Sequence, residues 1–353
     1  MSIRWNRTFS DLIRRSRPAY WGNWALNAQI RPGAVGIVDA ESGDFRLVRE
    51  QLPDVELLHT ATSSSWQLMS ERVSRTEASV DVSAEATDPE SGIKGEAGLE
   101  VSWSMANSNS IASEFSLRQE SFLRDLTVLE RSVDWLAEQA ASVSFGGNGQ
   151  IAQGFGVVTN VIYANSGLNV GSQSSDASFA IAGRASAVQE MLGGASGKGS
   201  FSSVRKARDV DRHLWPDQAN TRPVEPVPIA YSFASFDGRL LMPNWIGKLG
   251  GFQIFFNNRP GSTYITRILL TYNTPSGPRR EQFEISGGLS RTIGNIPLDA
   301  TDINLDVTFV GMINSDRYRR HWARPLGQWL SGQRHIEMSG VWPGRTHFSV
   351  LEE

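Results

Sequence analysis

The sequence predicts an α+β protein: a twisted antiparallel sheet with packed helices over 1–245, followed by an all-β, sandwich-like domain over 246–353. Its 353 residues exceed the usual size of a single domain, so two domains are expected. Three patterns indicate this class: strands of alternating polarity at 76–105, helical spacing of apolar residues at 119–141, and short strands without helices at 252–312.

The composition fits an ordinary globular protein and excludes some chemistry. Hydrophobic residues make up 40% of the chain and charged residues 20%. A net charge of -3 argues against a dedicated nucleic-acid-binding protein, so no nucleic acid is expected as a partner. Because the chain contains no cysteine, disulfides, thiolate metal sites and cysteine nucleophiles are excluded.

Neither a secretory signal nor a membrane-spanning helix is predicted. The N-terminal residues lack the apolar core of a signal peptide, and no run of about 18 apolar residues occurs. We therefore expect synthesis in the cytoplasm as a soluble protein without a signal peptide. Action at a membrane would then follow non-classical release.

The N-terminal segment combines positive charge with aromatic rings. Residues 7–16 have the apolar spacing of a short amphipathic helix, which Pro18 would end. The side chains expected to contact an anionic lipid surface are Arg14, Arg15, Arg17 and Trp21. The alternative is a solvated basic helix end whose aromatic rings pack in the core.

A hairpin predicted at 34–48 precedes the longest two-faced pattern, at 76–105. There, apolar and polar residues alternate along two strands joined by a turn-forming loop at 88–92. The apolar side chains that could face lipid are Val80, Val82, Leu99, Val101 and Trp103. Such a hairpin either covers a soluble core with one wet face or supplies tilted strands to a membrane-spanning barrel.

A second hairpin of similar composition is predicted at 151–184, with a tight turn at 165–167. Its candidate spanning residues are Val157, Val161, Leu168 and Val170. The amphipathic helix at 119–141 separates it from the first hairpin, and its apolar stripe is core-forming by default. A short helix at 185–192, a long connection and a closing hairpin follow.

The C-terminal region shows strands at short spacing and a tail rich in arginine and aromatic residues. The strands are predicted at 252–257, 264–272, 281–285, 290–296 and 303–309. The candidate binding residues of the tail are Arg319, Arg320, Trp322 and Arg324. Guanidinium groups suit a phosphate or a lipid headgroup. The alternative is an exposed basic strand or loop without a ligand.

Catalytic and metal-binding motifs are not found in the sequence. It has no HExxH helix and no GxSxG nucleophile elbow, and its glycine-rich stretch at 192–200 departs from a phosphate-binding loop. We therefore expect no enzymatic activity, no bound metal and no cofactor.

The order of elements over 1–245 resembles the pore-forming N-terminal domain of gasdermins. The segments that carry this resemblance are TEASVDVSAEAT, AGLEVSWSM, GFGVVTNVIYANSGLNV and PIAYSFASF. It implies two hairpins that lengthen into strands of a large oligomeric barrel, and a basic N-terminal helix that meets acidic lipids. Gasdermins carry a helical inhibitory C-terminal domain, whereas 246–353 is β-rich, which suggests targeting or docking. Other β-pore toxins, including the perforin-like fold, are not distinguished from it by the sequence.

The predicted function is a pore-forming or membrane-damaging protein that oligomerises on a lipid bilayer and inserts two amphipathic hairpins per subunit. Its expected partners are a lipid membrane and further copies of itself, with a surface receptor or glycan as a further candidate. One alternative is a non-enzymatic, β-rich binding module that recognises a glycan, a lipid or a protein. The other is a structural subunit of a larger assembly.

Overall fold

The protein is described by a computed structural model that divides into two compact units. The described residues are 5–80, 98–192, 203–216, 225–311, 315–325, 329 and 332–351. Unit 1 comprises Met1–Leu241 and unit 2 comprises Met242–Glu353. The sequence places the domain boundary between 245 and 246.

The predicted α+β class is wrong, because the protein is mostly β. Strands account for 56% of it and helices for 11%, and the four helices of the described residues are short. The predicted helix at 119–141 begins inside a strand that ends at Leu123. Its later part is divided into two helices at Ser132, so it does not form a continuous layer on a sheet.

Unit 1 contains four helices and sixteen strands among its described residues. The helices are α1 (Trp5–Arg14), α2 (Thr127–Arg131), α3 (Val133–Ser142) and α4 (Ala185–Leu192). The first strands are β1 (Tyr20–Gly22), β2 (Val35–Val38), β3 (Phe45–Arg49), β4 (Leu57–Ala61), β5 (Ser65–Met69), β6 (Val73–Val80), β7 (Gly98–Met105) and β8 (Ile111–Leu123). The later strands are β9 (Gly146–Gly147), β10 (Gln150–Ile151), β11 (Phe155–Ser172), β12 (Ala177–Arg184), β13 (Ser203–Arg208), β14 (Val210–Trp215), β15 (Val227–Asp237) and β16 (Leu240–Met242).

The central sheet of unit 1 is organised around β11, its longest strand. The sheet follows the order β1-β15-β11-β2-β3, and β8 runs antiparallel to β11 from Asn160 to Gly171. Strands β4 and β5 pair with β8, and β14 pairs with the C-terminal part of β11. Almost every residue of β11 is buried, which places this strand in the core of unit 1.

The predicted turn at 165–167 is wrong, because β11 passes through it without reversing. Gly167 has a φ of +149° and pairs with Phe115 of β8. A Cβ atom on Gly167 would lie 2.3 Å from the carbonyl oxygen of Glu114, so glycine permits a close approach of β8 here. The hairpin predicted at 34–48 and the helix predicted at 185–192 are confirmed as β2–β3 and α4.

A second sheet of unit 1 has four strands in the order β13-β12-β7-β6, and we call it the hairpin sheet. Strands β6 and β7 form the hairpin predicted from 76–105. Strand β12 pairs with β7 rather than with β11, and β13 pairs with β12. The sheet therefore consists of two adjacent antiparallel pairs.

The described residues of unit 2 form two four-stranded sheets. Its strands are β17 (Phe252–Asn258), β18 (Ile265–Thr274), β19 (Gly277–Ile285), β20 (Ser290–Ile296), β21 (Thr301–Val310), β22 (Asp316–Trp322), β23 (Gln333–Gly340) and β24 (Thr346–Leu351). The orders are β20-β17-β23-β24 and β19-β18-β21-β22, and β17 and β23 run parallel. Rings from the two sheets meet between them, with Phe256 and Phe283 at a centroid distance of 5.5 Å.

Candidate membrane-insertion sheet

The hairpin sheet has a strongly amphipathic centre. On β7, Val101, Trp103 and Met105 are buried, whereas Ser102 and Ser104 on the other face are partly or fully exposed. Phe179 and Ile181 continue the apolar face onto β12, and the rings of Trp103 and Phe179 lie 5.8 Å apart. This face would be water-exposed if nothing covered it.

Helix α4 covers the apolar face together with residues of the central sheet. Val188 and Met191 of α4 belong to the same buried cluster as Val101, Trp103 and Phe179. The hydroxyl of Ser166 in β11 donates a hydrogen bond to the carbonyl oxygen of Met191, at 3.1 Å. One helix of two turns therefore shields the hairpin sheet and is itself bonded to β11.

A buried carboxylate joins the hairpin to the central sheet, and we call this group the Glu114 cluster. Glu114 of β8 is only 3% exposed. Its Oε1 accepts hydrogen bonds from Arg75 Nε at 2.7 Å, Trp103 Nε1 at 3.0 Å and Gln67 Nε2 at 3.2 Å. A buried charge is tolerated only with such partners, so β5, β6, β7 and β8 are tied at one point.

The register of the hairpin separates the apolar residues of its two strands. Glu77 lies opposite Val101 and Ala78 lies opposite Glu100. Residues directly opposite each other point to the same face. Ala78 and Val80 therefore point away from the face that carries Val101 and Trp103. Val82 belongs to 81–97 and lies outside the described residues.

Both connections of the hairpin sheet leave from the same end. Strand β6 ends and β7 begins there, because Val80 pairs with Gly98. Strand β12 ends there too, since Arg184 pairs with Gly98, and β13 begins opposite Ala182. The two connections, 81–97 and 185–202, are similar in length.

The residues predicted for a second spanning hairpin lie in the core. Val157, Val161, Leu168 and Val170 are all fully buried in β11. Val157 lies between β2 and β15, Val161 between β8 and β15, and Leu168 and Val170 between β8 and β14. Their exposure to lipid would require the central sheet itself to come apart.

The predicted lipid-contacting residues at the N-terminus separate into two pairs. Trp21 is buried, and the guanidinium of Arg14 lies 4.2 Å from the centre of its ring. Burial lowers the pKa of Arg14 to about 10, and its Nε donates to the carbonyl oxygen of Tyr20. Arg15 and Arg17 are exposed, although Arg17 lies 3.6 Å from Glu120.

The predicted C-terminal binding residues are only partly brought together. Arg319 and Arg320 line a concave surface of ≈ 410 Å³ on unit 2, with Asp306 and His321. Asp306 accepts hydrogen bonds from Arg317 and Arg319, and the hydrogen bond from Arg317 is the main cause that lowers its pKa. Trp322 is instead buried beside Trp329, and Arg324 is exposed outside this surface.

Sequence reasoning missed the Glu114 cluster. A signal was present, because Glu114 is the one acidic residue in the run Ile-Ala-Ser-Glu-Phe-Ser at the start of β8. Its partners come from strands that are far away in the chain, so the sequence does not show that they meet at Glu114. Among the described residues, no three His, Asp or Glu side chains are placed to hold a metal ion. No helix in the same residues is long and apolar enough to cross a membrane.

Comparisons with known proteins do not assign the chain to a family. No protein-family model and no curated protein match the sequence. Among solved structures, it is similar to a Gram-negative toxin, at a TM-score of 0.24 and 10% identity, over 92% of this chain and 85% of that one. It is similar to wild-type pneumolysin at a TM-score of 0.24 and 9% identity, over 95% of this chain and 87% of that one. It is also similar to a disulfide-locked mutant of intermedilysin with human CD59, at a TM-score of 0.24 and 11% identity, over 95% of this chain and 87% of that one.

At such TM-scores the similarity does not establish a common fold or function. The gasdermin family suggested by the sequence is not shown by these comparisons.

Proposed function

We propose that this protein is a pore-forming, membrane-damaging protein that oligomerises on a bilayer. The observation that carries the proposal is the hairpin sheet: both of its connections leave from one end, and one short helix covers its apolar face together with residues of the central sheet. Extension of the pairs β6–β7 and β12–β13 at that end would place four strands per subunit across the membrane. About nine to eleven tilted residues suffice for each crossing.

The second inserting hairpin of this proposal is β12–β13, so that of the predicted segment 151–184 only β12 inserts and β11 does not. Strand β11 has no wet face, so it cannot present one side to lipid and the other to a water-filled lumen. The hairpin sheet, by contrast, lies beside the central sheet and is joined to it by the buried cluster under α4 and by the Glu114 cluster.

Insertion requires three changes in this proposal. Helix α4 leaves the apolar face, the Glu114 cluster separates, and the strands of several subunits pair into a closed barrel. A closed barrel is required because every backbone polar group inside lipid must have a hydrogen-bond partner. The function is non-enzymatic, and its partners are lipid and further copies of the chain.

The register indicates a fourth change. Suppose that the face of β7 with Val101 and Trp103 met the lipid while the folded register was kept. Arg75 and Glu77 of β6, which lie on the same face, would then also meet the lipid. A cationic side chain on the lipid face costs about 2–4 kcal/mol near the middle of the bilayer. A slip of one residue reverses every side chain of β6 and places Ala78 and Val80 on the same face as Val101 and Trp103.

Two substitutions at adjacent, exposed positions test the proposal. We expect Ala78→Arg to abolish dye release from phosphatidylcholine–phosphatidylserine vesicles, because residue 78 would face lipid after insertion. Ser79→Arg is the matched control: both positions are exposed in the folded protein, but residue 79 would face the lumen. Both variants should unfold like the wild type. Equal dye release by the two variants, or none from the wild type, contradicts the proposal.

A second candidate function rests on the concave surface of unit 2. Arg319, Arg320 and His321 lie together there, so this surface suits an anionic group on a glycan, lipid or protein. A protein that binds such a ligand but never releases dye would be a binding module. Titration with inorganic phosphate, with and without Arg320→Gln, tests this site.

A further inference from the structure

Exposed aliphatic side chains gather at one end of unit 2. Leu289 and Val341 are each 59% exposed, far more than is usual for their type. Both lie in loops between strands, after β19 and after β23. Ile265 at the start of β18 and Val310 at the end of β21 are also exposed and lie directly opposite each other. We call the loops 259–264, 286–289 and 341–345, with this pair, the sandwich tip.

The three loops contact one another and form one surface. The carbonyl oxygen of Asn258 accepts a hydrogen bond from Gly288 N, and that of Gly340 accepts one from Thr263 N. A Cβ atom on Gly287 would lie 1.7 Å from the carbonyl oxygen of Ser262, so only glycine allows the first two loops to pack so closely.

The loop 341–345 is held rigidly. Trp342 N donates to Thr263 Oγ1 at 2.7 Å, and the hydroxyl of Tyr264 donates to the carbonyl oxygen of Gly344 at 3.0 Å. Tyr264 and Trp342 also make an edge-to-face contact at 6.0 Å. The backbone that carries Val341 is therefore braced by two hydrogen bonds and a ring contact.

We propose that the sandwich tip docks on a lipid bilayer. The aliphatic side chains project from separate loops, and apolar side chains of a surface-bound protein are buried at the boundary between lipid headgroups and acyl chains. The half-buried ring of Trp342 follows Val341 in the chain, and amphipathic aromatic residues prefer the membrane–water interface.

The charges at the sandwich tip balance one another. Arg259 and Arg345 lie in its loops, beside two acidic residues, Asp316 and Glu337. Arg259 pairs with Glu337, and Asp316 accepts a hydrogen bond from Thr346 Oγ1. We therefore expect apolar insertion to supply most of the binding, with little dependence on anionic lipid. This site lies apart from Arg319 and Arg320, which are on the concave surface.

Vesicle sedimentation of the full chain tests this inference without relying on pore formation. The double variant Leu289→Glu/Val341→Glu should bind vesicles of phosphatidylcholine and phosphatidylserine at least about tenfold more weakly than the wild type, since two aliphatic insertions are lost. Both residues are largely exposed, so folding should be unaffected. The matched control is Leu351→Glu, 43% exposed at the opposite end of β24, which should bind like the wild type.

The outcomes distinguish docking from insertion. The pore variant Ala78→Arg should still sediment with vesicles even though it releases no dye, so failure of the pore proposal leaves docking intact. Equal binding by the double variant and Leu351→Glu overturns the inference, as does a wild type that stays in solution. A lipid-independent dimer that the double variant disrupts would also overturn it, in favour of a second copy as the occupant.

Discussion

Glu114 shows how a single side chain holds the hairpin sheet against the central sheet. Its carboxylate oxygen accepts three hydrogen bonds, from Gln67, Arg75 and Trp103. Removal of one partner of a buried ion pair costs far more than removal of an exposed one. The hairpin sheet is therefore expected to depend on this residue more than on any surface ion pair around it.

We expect Glu114→Ala to lower the free energy of unfolding by about 3 kcal/mol, because Trp103 Nε1 loses its buried acceptor and Arg75 its buried anion. The control is Glu77→Ala, which removes the 52% exposed partner of the same arginine and should cost less than about 1 kcal/mol. Urea unfolding measures both. Dye release by Glu114→Ala should also begin at a lower protein concentration. Equal costs for the two variants would rule out the role given to Glu114.

Asp306 gives unit 2 a pH-dependent contribution to stability. The hydrogen bond from Arg317 lowers the pKa of Asp306, so the folded state favours the ionised carboxylate. That contribution is complete above the unfolded pKa, about 4, and is lost as the pH falls through the lower folded pKa. Asp306→Asn should therefore reduce the melting temperature slightly at about pH 7, and by progressively less as the pH falls below about 4. Thermal unfolding of Arg317→Gln should show the same pH dependence, and a pH-independent difference contradicts the assignment.

Sequence patterns located the hairpin residues but not their surroundings. Alternation along 98–105 correctly gives Val101 and Trp103 a common apolar face. It does not say whether lipid, a helix or another sheet covers that face, because all three environments select the same side chains. Arg14 and Trp21 show the same limit: a basic and aromatic segment fits a lipid surface, yet this pair is stacked inside unit 1.

At the level of elements, strands with one solvent-exposed face could be recognised in the sequence, and strands buried on both faces could not. The hairpins β2–β3 and β6–β7 follow from period-two alternation. Strand β11 is covered on both faces, so its composition does not alternate, and its Asn-Ser-Gly sequence imitates a turn. The helical spacing near 119–141 correctly predicted helix from Thr127 onward but placed its start too early, because Leu123 and its neighbours continue a strand before the chain becomes helical.

The β6–β7 register can be fixed by an engineered disulfide. The hydroxyl oxygens of Thr76 and Ser102 lie 2.7 Å apart across the two strands, so cysteines at these positions are close enough to bond. The natural chain has no cysteine that could compete. We expect oxidised Thr76→Cys/Ser102→Cys to release no dye, because the disulfide prevents the one-residue slip.

Reduction supplies the control for this disulfide. After addition of dithiothreitol, the same protein should release dye as the wild type does, and each single cysteine variant should be active under both conditions. Full release by the oxidised protein would show that β6 and β7 keep their folded register in the pore.

At the scale of the whole molecule, the two units divide binding and insertion between them in our proposals. The sandwich tip lies in unit 2, and the hairpin sheet lies in unit 1. The sequence predicted two regions of this kind, because β-strand spacing without helices marks 252–312. It did not predict the sandwich tip, because isolated aliphatic residues in loops look like ordinary surface variation until the strands place those loops together.

Mixtures of wild type and variants test whether several copies must act together. A barrel closes only if every subunit contributes strands, since an unpaired edge inside lipid is costly. The oxidised disulfide variant should still dock through its sandwich tip and then occupy a place in the ring. It should therefore reduce dye release by a much larger fraction than the fraction of the total protein that it makes up. The double variant Leu289→Glu/Val341→Glu cannot dock, so the same amount should only dilute the wild type. Dye release that falls in simple proportion to the wild-type fraction in both mixtures would mean that each copy acts alone.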